Sequence, residues 1–336
     1  MIILQKGYDL MTKIDLITGI LGAGKTTFLK KYASYLIQQG KKIAILENDF
    51  GAVNIDMMLL QDLKSENCQL EMISGGCDAD CHKRRFKTQL IALGMQHFDR
   101  IIIEPSGIFD MDEFFDILYE SPLDKWFEIG SILGIINAEL DTSLSEQMRY
   151  LLASESACCG KLILSKLDDL QQGDLKNLPE KILNAFNQML AEIQCNRIFK
   201  QKDFIIKNWK DFTNQDYLHF SCAGYAHASY VKKFHIDNLK SEVHYFMHVQ
   251  IPENQIAEII KTIMQDSNCG TIFRLKGSLP IADNKWLKIN ATREKIEISP
   301  VADGQAVLIV IGDSICQEVI HNYIKSVNIN PDYVFI

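Results

Sequence analysis

The sequence predicts an α/β fold, a doubly wound parallel-sheet domain followed by a smaller C-terminal α+β domain. Three observations carry that prediction. Strand-sized apolar runs alternate with helical stretches over the first 200 or so residues. A glycine-rich segment, Gly19–Lys25, stands between the first such run and the first helix. After about residue 200 the strand-like runs come in adjacent pairs. Alternating strands and helices build a parallel sheet covered on both faces, whereas adjacent strand pairs build an antiparallel one.

Ile14–Thr18 is the first strand, and Lys25–Gln39 is a helix stopped by Gly40. Ile43–Glu47 and Gln69–Ile73 read as strands, and the basic stretch His82–Met95 as a helix. Arg100–Glu104, with three consecutive isoleucines, has the continuous apolar character of a strand buried on both faces. Ile129–Asn137 and Lys161–Ser165 repeat that character, separated by a helix over Ser143–Ser154. Lys200–Ala228 is polar and aromatic without a clear period and reads as a connector. The second unit comprises strands His244–Gln250, Thr271–Leu279, Trp286–Thr292 and Ala306–Ile311, with helices Glu253–Gln265 and Gln317–Val327. The expected domains are residues 1–215 and 216–336. Residues 1–10 sit awkwardly ahead of the first strand, which makes Met11 a candidate natural start.

A chain of 336 residues suits two domains, and 47% hydrophobic with 23% charged residues is ordinary globular composition. Such a chain buries enough apolar surface to fold without disulfide or metal staples. With 35 basic against 43 acidic side chains, its net charge of -8 argues against nucleic acid and acidic membrane as partners. No apolar run approaches the roughly 18 residues of a spanning helix. Neither is a secretory signal visible, so a cytoplasmic location is expected. Nine cysteines, an odd number without that signal, read as reduced thiols, some of them candidate ligands. Cys158 and Cys159 are expected as small buried hydrophobes, and Cys68 as core.

Gly19-Ile-Leu-Gly-Ala-Gly24-Lys25-Thr26-Thr27 satisfies the pattern G-x-x-x-x-G-K-[ST]. Glycines let the backbone N–H groups turn toward phosphate oxygens, the lysine reaches the terminal phosphates, and the Thr26 hydroxyl serves Mg²⁺. The helix behind the loop adds its positive end. Gly22, Ala23, Gly24, Lys25, Thr26 and Thr27 are therefore the expected nucleotide contacts. Glu104-Pro-Ser-Gly107 sets a carboxylate at a strand end, where a second Mg²⁺ group belongs, and Gly107 can offer an N–H to the γ-phosphate. Ser165-Lys-Leu-Asp168 follows a strand and matches a guanine-reading pattern. Asp168 would accept from guanine N1 and N2, which adenine cannot supply, while Lys166 would lie along the base. Ser221-Cys-Ala-Gly224 is a weaker candidate for a second base-contacting loop.

In this combination and order, the motifs resemble the CobW-type metallochaperone P-loop GTPases, relatives of the urease and hydrogenase maturation GTPases. The resemblance rests on Thr18–Leu29, Asn48-Asp-Phe-Gly51 followed by Asp56, Ser74-Gly-Gly-Cys77, Glu104–Gly107, Ser165–Asp168 and Phe273-Arg-Leu-Lys-Gly277. It implies that Asn48–Gly51 is a switch segment, with Asp49 a Mg²⁺ or water-positioning group in place of the family's glutamate. Lys25, Asp49 and Glu104 are then the expected catalytic set. It also implies that Arg274, Lys276 and Gly277 serve a structural or partner-facing strand of the C-terminal domain.

Relatives carry Gly-Cys-x-Cys-Cys between the switch and the carboxylate strand, and here the text is Gly76-Cys77-Asp78-Ala79-Asp80-Cys81-His82. Three thiolates become two, at a spacing that shares one helix face. A site of Cys77, Cys81 and His82 for Zn²⁺ or Co²⁺ stays open, with softness and geometry unlike a three-thiolate site. The resemblance implies a GTP/GDP switch with Mg²⁺ that inserts a metal or metallocofactor into a client metalloenzyme or a corrinoid- or metal-dependent protein. Turnover should be slow without the client, because no side chain is evidently poised to orient water or act as an arginine finger. Two rivals remain open, a metal-free GTPase activator of a metalloenzyme and a P-loop kinase acting on a small molecule. A homodimer is also left open.

Overall fold

The computed structural model describes residues 11–20, 22–49, 55–74, 79–105, 111–139, 144–170, 172–233, 242–281, 285–292, 295–301 and 304–335. The chain divides into two compact units, residues 1–52 and 59–239 in the first and 53–58 and 240–336 in the second, with the main division near residue 240. In chain order the elements up to there are β1 (Thr12–Thr18), α1 (Lys25–Gln38), β2 (Ile43–Asp49), α2 (Ile55–Leu60), β3 (Cys68–Ser74), α3 (Ala79–Gly94) and β4 (Arg100–Pro105). They continue with α4 (Met111–Leu118), α5 (Leu123–Trp126), β5 (Phe127–Asn137), α6 (Glu146–Ala157), β6 (Lys161–Ser165), α7 (Gln172–Glu192), β7 (Phe204–Ile205) and α8 (Asn214–Ser221).

The seven strands form one parallel sheet in the order β3-β2-β4-β1-β5-β6-β7. Successive side chains on a strand point to opposite faces, and β4 shows the consequence. Ile101 and Ile103 join one core, with Phe86, Leu90, Phe114 and Phe186, while Ile102 joins the other, with Phe28, Leu29 and Tyr32. All residues of β4 are buried, as its sequence predicts. The doubly wound expectation is met.

Helix ends follow local chemistry. After α1 the Gly40 N–H donates to Ile37 O and the Lys41 N–H to Leu36 O, the paired bonds of a Schellman stop. The predicted helix over Ser143–Ser154 begins later, because Ser145 caps it by accepting from the Met148 N–H at 3.2 Å. α7 has no counterpart in the sequence reading. Its buried residues Leu178, Ile182, Phe186, Met189 and Leu190 have helical spacing, but Pro179 lies inside it and masks the signal. The expected connector is partly ordered into β7 and α8. Tyr217 and Phe220 of α8 bury in the first unit, stacking on Tyr35 and tilting against Phe28 at centroid distances of 5.4 and 5.6 Å. The division near residue 240 therefore lies later than the expected boundary at 215/216.

A polar knot crosses this otherwise apolar face. Asp15 of β1 is fully buried, and Arg100 Nη1 approaches both its oxygens at 2.5 Å. Tyr32 OH donates to Asp15 Oδ2 at 2.7 Å and the Ser131 N–H to Oδ1 at 2.8 Å. Arg100 Nη2 also donates to Ser221 O at 3.1 Å. Every oxygen of the buried carboxylate is thus paired, the condition under which a buried charge is tolerated.

The second unit contains β8 (Glu242–Met247), α9 (Glu253–Gln265), β9 (Thr271–Ile281), β10 (Lys285–Ala291), β11 (Ile296–Val301), β12 (Val307–Asp313), α10 (Gln317–Val327) and β13 (Val334–Phe335). Its strands form an antiparallel sheet ordered β11-β10-β9-β12-β8-β13. Ile256, Ile260 and Ile263 of α9 and Ile320 and Ile324 of α10 pack with Leu275, Ile289 and Val310 of the sheet. β11 and the two-residue β13 are missing from the sequence reading, and for β11 Pro300 explains why: proline is confined to edges, and β11 is an edge. Gly277 lies where β9 and β12 run closest. A Cβ there would meet Val307 O at 2.2 Å, so this motif residue serves strand packing. Arg274 Nε donates to Asn290 Oδ1 at 2.8 Å, and Lys276 is buried.

Removing one member of the Asp15 knot leaves the other charge buried. Arg100→Met is expected to lower unfolding free energy by about 3–5 kcal/mol. Urea titration at pH 7 measures it, and a loss under about 1 kcal/mol would show that water or rearrangement satisfies Asp15.

Candidate functional site

Parallel α/β sheets bind ligands beyond the carboxyl ends of their strands. The predicted nucleotide residues follow the ends of β1, β4 and β6, with the loop Gly19–Gly24 leading directly into α1. Gly24 is the N-terminal cap of α1 with φ 98°, a left-handed conformation that costs a residue with a Cβ about 1–2 kcal/mol. No side chain caps that end and no acidic residue occupies its first turn, so the positive field of α1 is left for an anion. Ala23 is buried, its N–H donating to Ile20 O at 3.2 Å, while Gly22 faces open space and Thr27 is exposed.

Lys25 is only 6% exposed and its Nζ donates to Gly19 O at 2.8 Å, folding the side chain back over the loop. Thr26 Oγ1 donates to Glu104 Oε1 at 3.0 Å. Two of the three side chains predicted for Mg²⁺, Thr26 and Glu104, are therefore brought together. Glu47 of β2, buried and in register with Glu104, is a second carboxylate at this end that the sequence reading did not single out. A hydroxyl beside carboxylates is a hard oxygen donor set and suits Mg²⁺. Asp49 is the last residue of β2, beside Ser74 of β3, and its side chain lies outside the described residues.

At the expected base site, Ser165 is buried with Oγ donating to Ile136 O at 3.1 Å. Lys166 takes φ 57°, turning the chain so that Asp168 stands exposed. Three residues absent from the sequence reading surround it. Asn208 Nδ2 donates to Asp168 Oδ1, and Lys210 Nζ to Oδ2 at 2.7 Å. The Lys210 bond, then the Asn208 bond, holds the Asp168 carboxyl below the usual range, so it is ionised at neutral pH. Between them Trp209 donates from Nε1 to Leu164 O at 2.7 Å and sets its ring against Phe28 at 5.6 Å. A Cβ on Gly24 would stand 3.2 Å from the same indole, so Trp209 braces the phosphate loop from the base side. Its sequence signal is faint, one large aromatic in a polar stretch just after a two-residue strand.

The weaker candidate loop Ser221–Gly224 lies elsewhere. Ser221 O binds Arg100 at the amino end of β4, and the Gly224 N–H donates to Ser131 Oγ. Cys81 is half-buried near the start of α3. Cys77 and Gly107 lie outside the described residues, as does the His82 side chain, so the metal motif is not described as a unit. Among the described residues no cluster of three or more His, Cys, Asp or Glu side chains is placed to hold a metal. Cys68, Cys158 and Cys159 are buried as expected, and burial pushes Cys68 and Cys158 up to about 11. No described helix is long and apolar enough to cross a membrane.

The family model for the CobW/HypB/UreG nucleotide-binding domain matches residues 13–194. The zinc chaperone YjiA of Escherichia coli (strain K12) is 26% identical over 209 residues, covering 58% of this chain and 63% of YjiA. The zinc chaperone YeiR of the same organism is 34% identical over 131 residues, 39% of each chain. The chain thus spans less than two thirds of either relative. The crystal structure of the Zn(II)-bound YjiA GTPase from E. coli aligns over 95% of this chain and 99% of that one, at 18% identity and a TM-score of 0.36.

Two substitutions test the brace. Gly24→Ala is expected to cost about 1–2 kcal/mol from its left-handed φ alone. Trp209→Phe, which keeps packing and loses the bond to Leu164, should cost about 0.5–1.5 kcal/mol. Urea unfolding reads both, and an unchanged midpoint for Trp209→Phe would show the indole N–H does not need that partner.

Proposed function

We propose, because this chain belongs to the CobW/HypB/UreG nucleotide-binding family, that it is a GTP-binding and GTP-hydrolysing switch that helps insert a metal or metallocofactor into a client protein. One observation carries the nucleotide half. Lys25, Thr26, Glu104 and Asp168 all lie at or beyond the carboxyl ends of strands of one sheet, and Thr26 and Glu104 touch. Two matching relatives are zinc chaperones, which supports the metal half.

Thr26 and Glu104, with Asp49 nearby in sequence to β2's end, would hold Mg²⁺, which neutralises charge on the phosphate oxygens. Lys25 exchanges Gly19 O for phosphate oxygens, and backbone N–H groups within Gly22–Thr27 at the head of α1 bind the remainder. Gly107 would add its N–H at the γ-phosphate. Asp168 reads guanine, and Asn208 and Lys210 must yield one of its oxygens to the base. Ser165 and Lys166 shape that loop. Asn48–Gly51 and the Cys77–His82 segment would order or release with the γ-phosphate, coupling hydrolysis to Zn²⁺ or Co²⁺ and to the client. A client metalloenzyme in the cytoplasm is part of this reading. The metal-free activator is favoured over it only by the loss of one thiolate from the cysteine motif.

Mg²⁺·GTP should bind tens- to hundreds-fold tighter than Mg²⁺·ATP, and Asp168→Ala should erase the difference, since hydrogen bonds to a charged acceptor contribute about 1.5–3 kcal/mol each. Calorimetry with both nucleotides decides, and equal affinities would return the small-molecule kinase. For the metal half, the Cys77→Ser, Cys81→Ser double variant should lose the Zn²⁺ or Co²⁺ retained by the reduced parent. If it holds metal as well as the parent does, the metal-free activator replaces this reading.

A further inference from the structure

Outside the predicted set, one buried ionisable side chain faces the phosphate loop directly. Glu155 of α6 is 2% exposed. Its Oε2 accepts from Thr18 Oγ1 and from the Gly19 N–H, both at 3.1 Å. The carbonyl of the same Gly19 accepts from Lys25 Nζ at 2.8 Å. The first residue of the loop is thus held at its N–H by Glu155 and at its C=O by the phosphate-binding lysine. Glu155 Oε1 has no hydrogen-bond partner among the described residues, although it is buried.

We infer that Glu155 is a positioning residue of the phosphate site, acting through Gly19 and Lys25, and that nucleotide binding is accompanied by protonation of its carboxyl. The inference rests on the nucleotide reading of the loop. While Lys25 lies against Gly19, its ammonium is the positive charge that favours the Glu155 carboxylate. A triphosphate takes up that ammonium and brings several negative charges to the same loop, so the buried carboxylate loses its compensation. A proton from the buffer then adds to Oε1, the oxygen with no donor, and Oε2 continues to accept from Thr18 and Gly19. Burial already pushes the carboxyl up to about 7, against the pull of Lys25 and of the two donors. The other charged or titratable groups around it are few. Cys159, just past the C-terminal end of α6, donates to the Glu155 carbonyl, and the Arg197 guanidinium caps α6 through Ala157 O at 2.6 Å.

The full chain, with Glu155→Gln and Glu155→Ala, tests this by titration with Mg²⁺·GTP at pH 7 in two buffers of different ionisation enthalpy. Glutamine keeps an acceptor for Gly19 and Thr18 but cannot ionise. The parent should take up roughly half a proton more than Glu155→Gln, as a group near its midpoint does when its pKa rises on binding. Glu155→Ala should bind about tenfold or more weakly, the usual cost of leaving buried donors unmade, and glutamine should restore most of that loss. Unfolding without nucleotide gives a second readout. A carboxyl raised in the folded state contributes stability that is complete below its unfolded pKa, about 4.3, and lost as pH rises through about 7. The parent should therefore lose stability across that window relative to Glu155→Gln. Equal proton uptake in parent and glutamine variant, or a glutamine variant as weak as the alanine one, overturns the inference alone. A parent that binds no nucleotide removes the reading of the site and the inference with it.

Discussion

The ion pair between Asp15 and Arg100 sets β1 against β4, and through Tyr32 and the Ser131 N–H it also ties that strand to α1 and β5. The loop Gly19–Gly24 leaves the far end of β1, the strand so anchored, and runs into α1, the helix that Tyr32 belongs to. A buried charge pair is a poor source of net stability, since desolvation offsets much of its attraction. Its value here is directional: a carboxylate with three donors accepts one arrangement of strands and helix. The loop beyond Thr18 can then be rich in glycine, because its two ends are fixed by other parts of the fold.

Around the loop the same logic repeats with smaller elements. Trp209 supports Gly24 from the Asp168 side, and Glu155 supports Gly19 from α6. Thr26 and Glu104 meet because Glu104 ends the strand beside β1, not because they are near in sequence. Each support comes from a different part of the chain. The site is therefore a property of strand order, and the loop supplies only the groups that touch phosphate.

Family membership and the local geometry bear on different parts of the molecule. The matched domain covers residues 13–194, which contain Glu155, Glu104 and Asp168 but not Asn208, Trp209 or Lys210. The segment that grips Asp168 lies beyond that domain yet belongs to the same unit, added to the sheet edge through β7. The second unit is an antiparallel sheet with two helices on its core, and its Gly277 is required by the approach of Val307 rather than by a ligand.

By itself the sequence determined what local chemistry dictates. The glycine–lysine–threonine loop, the isoleucine run of β4, the Gly40 stop and the boundaries of α9 and α10 are each written in a few neighbouring residues. Short-range patterns of this kind survive folding because they describe backbone preference and burial on one element. Only the tertiary structure decided that Arg100 is a counterion rather than a strand-end cation, and that Ser221–Gly224 sits by Arg100. It also decided that Trp209 and Glu155 face the loop. Those assignments join residues 85 and 136 positions apart, and no local pattern encodes which distant side chain arrives. An acid in the small and apolar run Leu151–Cys159 was the single hint for Glu155, since an unpaired charge has no place on a buried helix face. What it pairs with is set by the packing of α6 against the end of β1.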